Sequence, residues 1–129
     1  MDISKIGKPV TRQELGEMKK KEEEKNRWNS IYLIINRFYN EVIKHAKNND
    51  NQKYVFDIIN NTAFINNDFI KNNNDDILNS VKLLFPDSKL SIKQYINNNG
   101  ESYDITELDE NSKKIFDKNK YILMLVIEW

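Results

Sequence analysis

The chain contains no cysteine, which removes disulfides, thiolate catalysis and sulfur-ligated zinc and fits a reducing compartment. A single histidine, His45, excludes His-pair metal sites and the HExxH helix and leaves nothing spare for a Ser–His–Asp centre. Near the last turns of a helix, a cation there suits the helix dipole. Glycine occurs only at positions 7, 16 and 100, so neither a Walker loop nor a dinucleotide fingerprint can be built. Three glycines and two prolines also argue against collagen-like, linker-rich or disordered classes. Charge of one sign is lacking too: 20 basic residues balance 20 acidic ones, with no global pull toward nucleic acid or anionic membrane. The longest apolar run, 121–127, is too short to span a bilayer, and Met-Asp-Ile-Ser-Lys offers no apolar signal core. The expectation is a soluble, cytoplasmic protein with no membrane association and no cofactor.

The 129 residues suit one domain with a real core. The clearest local signal is Thr11-Arg12-Gln13-Glu14, a capping box in which the Thr11 hydroxyl accepts from the third helical N–H and Glu14 reaches back to the Thr11 N–H. Pro9 lies upstream, and Val10 with Leu15 forms the two ends of a hydrophobic staple. Downstream, Trp28, Ile31, Ile35, Phe38, Val42 and Ala46 recur three and four apart, with Tyr32, Tyr39 and Ile43 widening a core-facing stripe. Upstream, the stripe passes through Lys25 and Glu22 before reaching Met18 and Leu15, so residues 19–25 belong in solvent. Glu17 with Lys21 and Glu23 with Arg27 are i,i+4 pairs worth about 0.2–0.5 kcal/mol each. A helix from Thr11 to about Lys47 would be roughly 55 Å long. The organisation expected is therefore an N-terminal segment and projecting charged helix, 1–27, continuous with one globular domain, 28–129.

Asparagine runs at 48–51, 60–61, 72–74 and 97–99 punctuate the rest, doing the turn work of glycine because Asn tolerates positive φ. An AT-rich genome accounts for the load of Asn, Lys, Ile and Tyr. Residues 53–59 and 62–65 read as two strands joined by a primed turn at Asn60-Asn61. Asn67-Asp68 begins a helix carrying Phe69 and Ile70, and Asn74 or Asp75 begins another with Ile77, Leu78, Val81, Leu84 and Phe85 on one face, stopped by Pro86. A second hairpin joins 90–96 to 101–105 across Asn97-Asn98-Asn99-Gly100, and Thr106-Glu107-Leu108-Asp109 opens a short helix through Phe116. The ending 121–129 is apolar at both parities for seven residues, 121–127, which predicts a strand buried on both faces in the middle of the sheet. The fold class is α+β: a long N-terminal helix on a mostly antiparallel sheet of four to five strands, with one or two further helices.

Chemistry-bearing patterns are few. Asp57 lies between strand residues and faces solvent on an alternating strand; turned inward it would need a partner. Asn73-Asn74-Asp75-Asp76 lacks the Gly and distant Glu of a calcium loop, so helix capping explains it better. Pro86-Asp87-Ser88-Lys89 is similar to the Pro-Asp and Asp-x-Lys pieces of restriction-nuclease-like enzymes, but in that family the pieces lie on separate strands, and a helix-stopping turn accounts for all four residues. Asn60-Asn61-Thr62 matches a glycosylation sequon with no secretory context. Lys19, Lys20, Lys21, Lys25 and Arg27, with Trp28 and Tyr32 for stacking, are the nucleic-acid candidates, interleaved with Glu17, Glu22, Glu23 and Glu24 that cancel their field.

The order of elements, with a helix closing at Phe85-Pro86-Asp87-Ser88-Lys89 and a final strand closing at Glu128-Trp129, resembles small proteins of AT-rich giant DNA viruses over roughly residues 50–129. That resemblance implies a viral product made in infected-cell cytoplasm or carried in the virion, and carries over no functional residue. The function expected is noncatalytic: a small interaction or structural protein whose coiled-coil-like helix docks to a protein partner or to itself through Leu15, Met18, Lys21, Lys25 and Trp28. The alternatives are a nucleic-acid-binding accessory protein and a phosphodiester or nucleotide enzyme with carboxylate-held metal.

Overall fold

The computed structural model describes residues 2–62, 65–98, 101–111 and 121–129. The chain divides into two compact units, Met1–Ser30 and Ile31–Trp129, with the division falling inside helix α1, Arg12–Asn48. The fold is α+β: α1, then β1 (Lys53–Asp57), α2 (Ile58–Asn61), α3 (Asn67–Asn72), α4 (Asn74–Leu84), β2 (Lys89–Asn98), β3 (Glu101–Asp104) and β4 (Tyr121–Glu128).

In the first unit, Thr11 caps α1 as its sequence position dictates. Its Oγ1 accepts from the Glu14 N–H at 3.1 Å. The Glu14 carboxylate accepts a hydrogen bond from the Thr11 hydroxyl at 3.1 Å, where the sequence suggested the Thr11 backbone N–H. Val10 and Leu15 stay largely exposed, so the staple adds little burial.

The second unit is built on a four-stranded antiparallel sheet of order β1-β4-β2-β3. β4 lies between β1 and β2, as its apolar residues at both parities require. Leu123 to Ile127 are buried without interruption. On one face, Leu125 stands between Phe56 and Ile92, and Ile127 between Tyr54 and Leu90. Phe38 of α1 meets Phe56 edge-on there, with centroids 5.5 Å apart. The opposite face carries a smaller cluster of Tyr95, Met124 and Val126, flanked by Val55 and Ile122.

Within the second unit, α1 buries Ile31, Ile34, Ile35, Phe38 and Val42. The expected stripe is displaced slightly. Ile34 joins it, while Tyr32 and Tyr39 are 59% and 39% exposed, because at about 100° per residue they lie 80–100° from its centre. On α4, Ile77 and Val81 are fully buried and Phe85 packs against Phe38 and Tyr39, whereas Leu84 is turned half out. α4 stops at Phe85, before Pro86, as expected.

The primed turn expected at Asn60-Asn61 is replaced by α2, and residues 63 and 64 of the expected second strand lie outside the described residues. β1 ends at Asp57, whose Oδ1 accepts from the Asn60 N–H at 3.1 Å and whose Oδ2 accepts from Asn60 Nδ2 at 2.6 Å, starting α2. A good N-cap residue and a distant partner, β4, outcompete a local strand pairing that the apolar run beyond Asp57 had suggested. Asp57→Ala is therefore expected to cost about 1 kcal/mol and lower the melting temperature by about 4–8 °C, with Asp57→Asn recovering most of it, read by thermal denaturation.

Asparagine works here through its side-chain amide. Asn48, Asn49, Asn61 and Asn73 each donate Nδ2–H to the carbonyl four residues earlier, at 2.9, 3.3, 2.8 and 2.8 Å, and at His45 and Phe69 this is a second bond to a carbonyl that already accepts the backbone N–H of the same asparagine. Asn73, between α3 and α4, has φ −118°, so positive φ is not its contribution. Asn66, one residue before the expected start, caps α3 through the Phe69 N–H at 2.9 Å. Asn73 then precedes α4 without a side-chain cap. The β2–β3 hairpin forms, with Tyr95 opposite Asp104, but β2 runs on through Asn97 and Asn98, which the sequence assigned to the turn and which pair with Ser102 and Glu101. After β3, Asp104 in place of Thr106 caps a short 3-10 turn, Ile105–Glu107. The remainder of the helix expected through Phe116 lies outside the described residues beyond residue 111.

Candidate interaction surface

The five residues singled out in the sequence, Leu15, Met18, Lys21, Lys25 and Trp28, all lie on α1 within the first unit. Their spacing of three and four residues puts them on one stripe of the helix. Leu15 is 58% and Met18 49% exposed. Lys21 and Lys25 are exposed, and Trp28 is half-buried. Ile3, Ile6 and Val10 of the same unit are exposed as well.

The charged turns are ordered by local pairs. Lys19 Nζ lies 3.9 Å from Glu23. Arg27 grips Glu24 with both Nε–H and Nη2–H, at 3.0 and 2.6 Å, and Trp28 Nε1–H donates to the same carboxylate at 3.0 Å. The guanidinium also stacks 4.9 Å from the centroid of the Trp28 ring. These bonds, Arg27's first, hold the Glu24 carboxyl below its usual range. Arg27 pairs one residue from the expected Glu23, because Glu24 can serve Arg27 and Trp28 together, and the expected Glu17–Lys21 pair is not formed among the described residues, where Gln13 Nε2–H donates to Glu17 at 3.4 Å. Two of the five basic candidates for phosphate binding are thus already matched to carboxylates.

The second unit holds two polar groupings that sequence reasoning missed. Asp104, only 3% exposed, accepts at Oδ1 from the Thr106 N–H at 3.0 Å and the Thr106 hydroxyl at 2.8 Å. Lys93 Nζ stands 3.4 Å from Oδ2, close enough for a Coulombic contact but without hydrogen-bond geometry. Burial pulls the Asp104 carboxyl up, yet the Thr106 bonds and the Lys93 charge outweigh it and leave the carboxyl below its usual range. The Asp104–Thr106 bonds are a local cap two residues apart, and only the strand register brings Lys93 to them, so no local signal could have announced the charge pair.

The other grouping surrounds His45. Its ring lies 4.8 Å from Tyr54 and 6.2 Å from Trp129, in a shallow groove shared with Glu41, Lys44, Asn48 and Asn49. The Asn49 amide nitrogen is 3.2 Å from Nδ1. Burial first, then the Glu41 carboxylate, pushes the Tyr54 hydroxyl above its usual range. The histidine is thus held by two rings at the end of α1.

No family model, curated protein or solved structure matches this chain. Its function has to be read from its own residues. Among the described residues no three His, Asp or Glu side chains stand close enough to hold a metal ion, and no helix is long and apolar enough to cross a membrane.

Proposed function

We propose that the chain is a noncatalytic interaction protein that docks through the first half of α1, with Leu15, Met18, Lys21, Lys25 and Trp28 as the contact stripe. The observation that supports this is the exposure of Leu15 and Met18 on a capped helix, in line with a half-buried tryptophan. Aliphatic side chains presented at helical spacing are the anchors by which amphipathic helices are read. A tryptophan beside them supplies the kind of large contact that dominates binding energy. Its site of action, on this reading, is the cytoplasm of an infected cell or the virion, in keeping with the resemblance to giant-virus proteins.

Changing Leu15 and Met18 together to serine leaves the second unit's core untouched and removes the apolar part of the stripe. The full chain and this double variant would be compared by sedimentation and by capture of defined partners. The expected result is loss of about tenfold or more in association, with an unchanged circular dichroism melt for the second unit. Equal association by both chains would sink the reading.

A further inference from the structure

The contact stripe has a symmetry that identifies its partner, an identification that rests on the docking role proposed above. At about 100° per residue, Glu14, Leu15, Met18, Lys21, Glu22, Lys25, Trp28 and Asn29 occupy one face of α1, all within the first unit. The rows 14, 21, 28 and 15, 22, 29 and 18, 25 repeat every seven residues, the period of a coiled-coil seam. Turn the helix end for end about a point between Lys21 and Glu22, and this set maps onto itself. Leu15 then meets Trp28, Met18 meets the aliphatic stem of Lys25, Lys21 meets Glu22, and Glu14 meets Asn29. Flanking the seam, Lys19 meets Glu24, while Lys20 and Glu23, about 150° from its centre, face away from it.

We infer that the partner is a second copy of this chain, joined by antiparallel pairing of residues 14–29 about a two-fold axis between Lys21 and Glu22. Charge decides the direction. The chain places a triple-lysine block, 19–21, directly before a triple-glutamate block, 22–24. A parallel pair in register would set lysines against lysines and glutamates against glutamates. Antiparallel pairing sets Lys21 against Glu22 and Lys19 against Glu24 in both copies at once, as an isologous interface requires. Lys21 and Glu22 are exposed and make no ion pair among the described residues, so they are free to pair across the axis. The apolar contacts fall at the ends of the seam, Leu15 on Trp28 twice over.

The test uses full-length chains. An acidic variant of the lysine block carries Lys21→Glu, and a basic variant of the glutamate block carries Glu22→Lys; Glu24, Arg27 and Trp28 keep their mutual bonds. In sedimentation equilibrium the unsubstituted chain forms a dimer. Each variant alone associates more weakly by about tenfold or more, and an equimolar mixture of the two recovers a heterodimer. Circular dichroism of each variant confirms that the second unit is folded. Orientation is read by oxidation, free of background because the chain has no cysteine. A Met18→Cys chain mixed with a Lys25→Cys chain gives the mixed disulfide, whereas neither gives a crosslinked dimer alone. A monomeric parent chain, block variants that dimerise as well as the parent, or crosslinking of the Met18→Cys chain to itself would each overturn the pairing. If the parent chain is monomeric yet loses a different protein when Leu15 and Met18 become serine, self-pairing falls and the docking reading stands.

Discussion

Phe38→Ala is expected to destabilise the second unit by about 3–5 kcal/mol and to lower its melting temperature by about 15–30 °C. Phe38 is fully buried on α1, with its ring 5.5 Å from Phe56 of β1 and 5.9 Å from Phe85 at the end of α4, both edge-on. One side chain therefore joins the helix, the sheet and the segment that closes α4. Truncation removes the transfer energy of the ring and leaves a cavity whose walls belong to three elements that cannot all collapse inward. Phe38→Leu keeps much of the volume and is expected to cost less than half as much. Tyr39→Ala, one residue along, removes a ring 5.7 Å from Phe85 that is substantially exposed, and is expected to cost about 1 kcal/mol. The comparison is read from urea midpoints at constant slope. A Phe38→Ala midpoint within error of the Tyr39→Ala midpoint would contradict this packing.

The parts of the fold that could be read in advance are those set by contacts near in sequence or by unmistakable patterning. β4 could be placed centrally because Leu123 to Ile127 offer no polar face to solvent. The end of α4 follows from Pro86, and the start of α1 from Thr11 with Glu14. The errors arose where a local pattern was compatible with two outcomes and a distant strand chose between them. Residues 53–59 carry a continuous strand-like pattern, and Asn60-Asn61 is a fair hairpin turn. Pairing with β4, more than sixty residues later, left Asp57 at the strand's end, where its carboxylate starts α2 instead. The candidate surface was legible as five residues on a helix face. Its reversal symmetry was equally present in the sequence, but acquires meaning only once Leu15 and Met18 are seen to be exposed together.

The Lys93–Asp104 pair gives the second large effect, with a pH signature that packing alone would not produce. Asp104→Ala is expected to cost about 2–3 kcal/mol at neutral pH, since it strips two hydrogen bonds from Thr106 and leaves the half-buried Lys93 ammonium without its counter-charge. Lys93 retains some access to water, which keeps the loss below that of a fully enclosed pair. Asp104→Asn preserves an oxygen for Thr106 and removes only the charge, so about 1 kcal/mol is expected. The folded Asp104 carboxyl titrates below the ordinary 3.8 of an unfolded aspartate. Its charged form therefore contributes stability above that value, and the contribution disappears as pH falls through the lower folded value. For Lys93, burial draws the ammonium down but Asp104 more than offsets it, leaving it above the ordinary 10.5. That contribution is fully present below 10.5 and is lost as pH rises through the raised folded value. The gap in urea midpoint between the parent chain and Asp104→Asn is thus expected to be constant from about pH 5 to 10 and to shrink at both ends. A gap that persisted unchanged to pH 2 would show that the carboxylate's shape, and not its charge, holds the turn after β3.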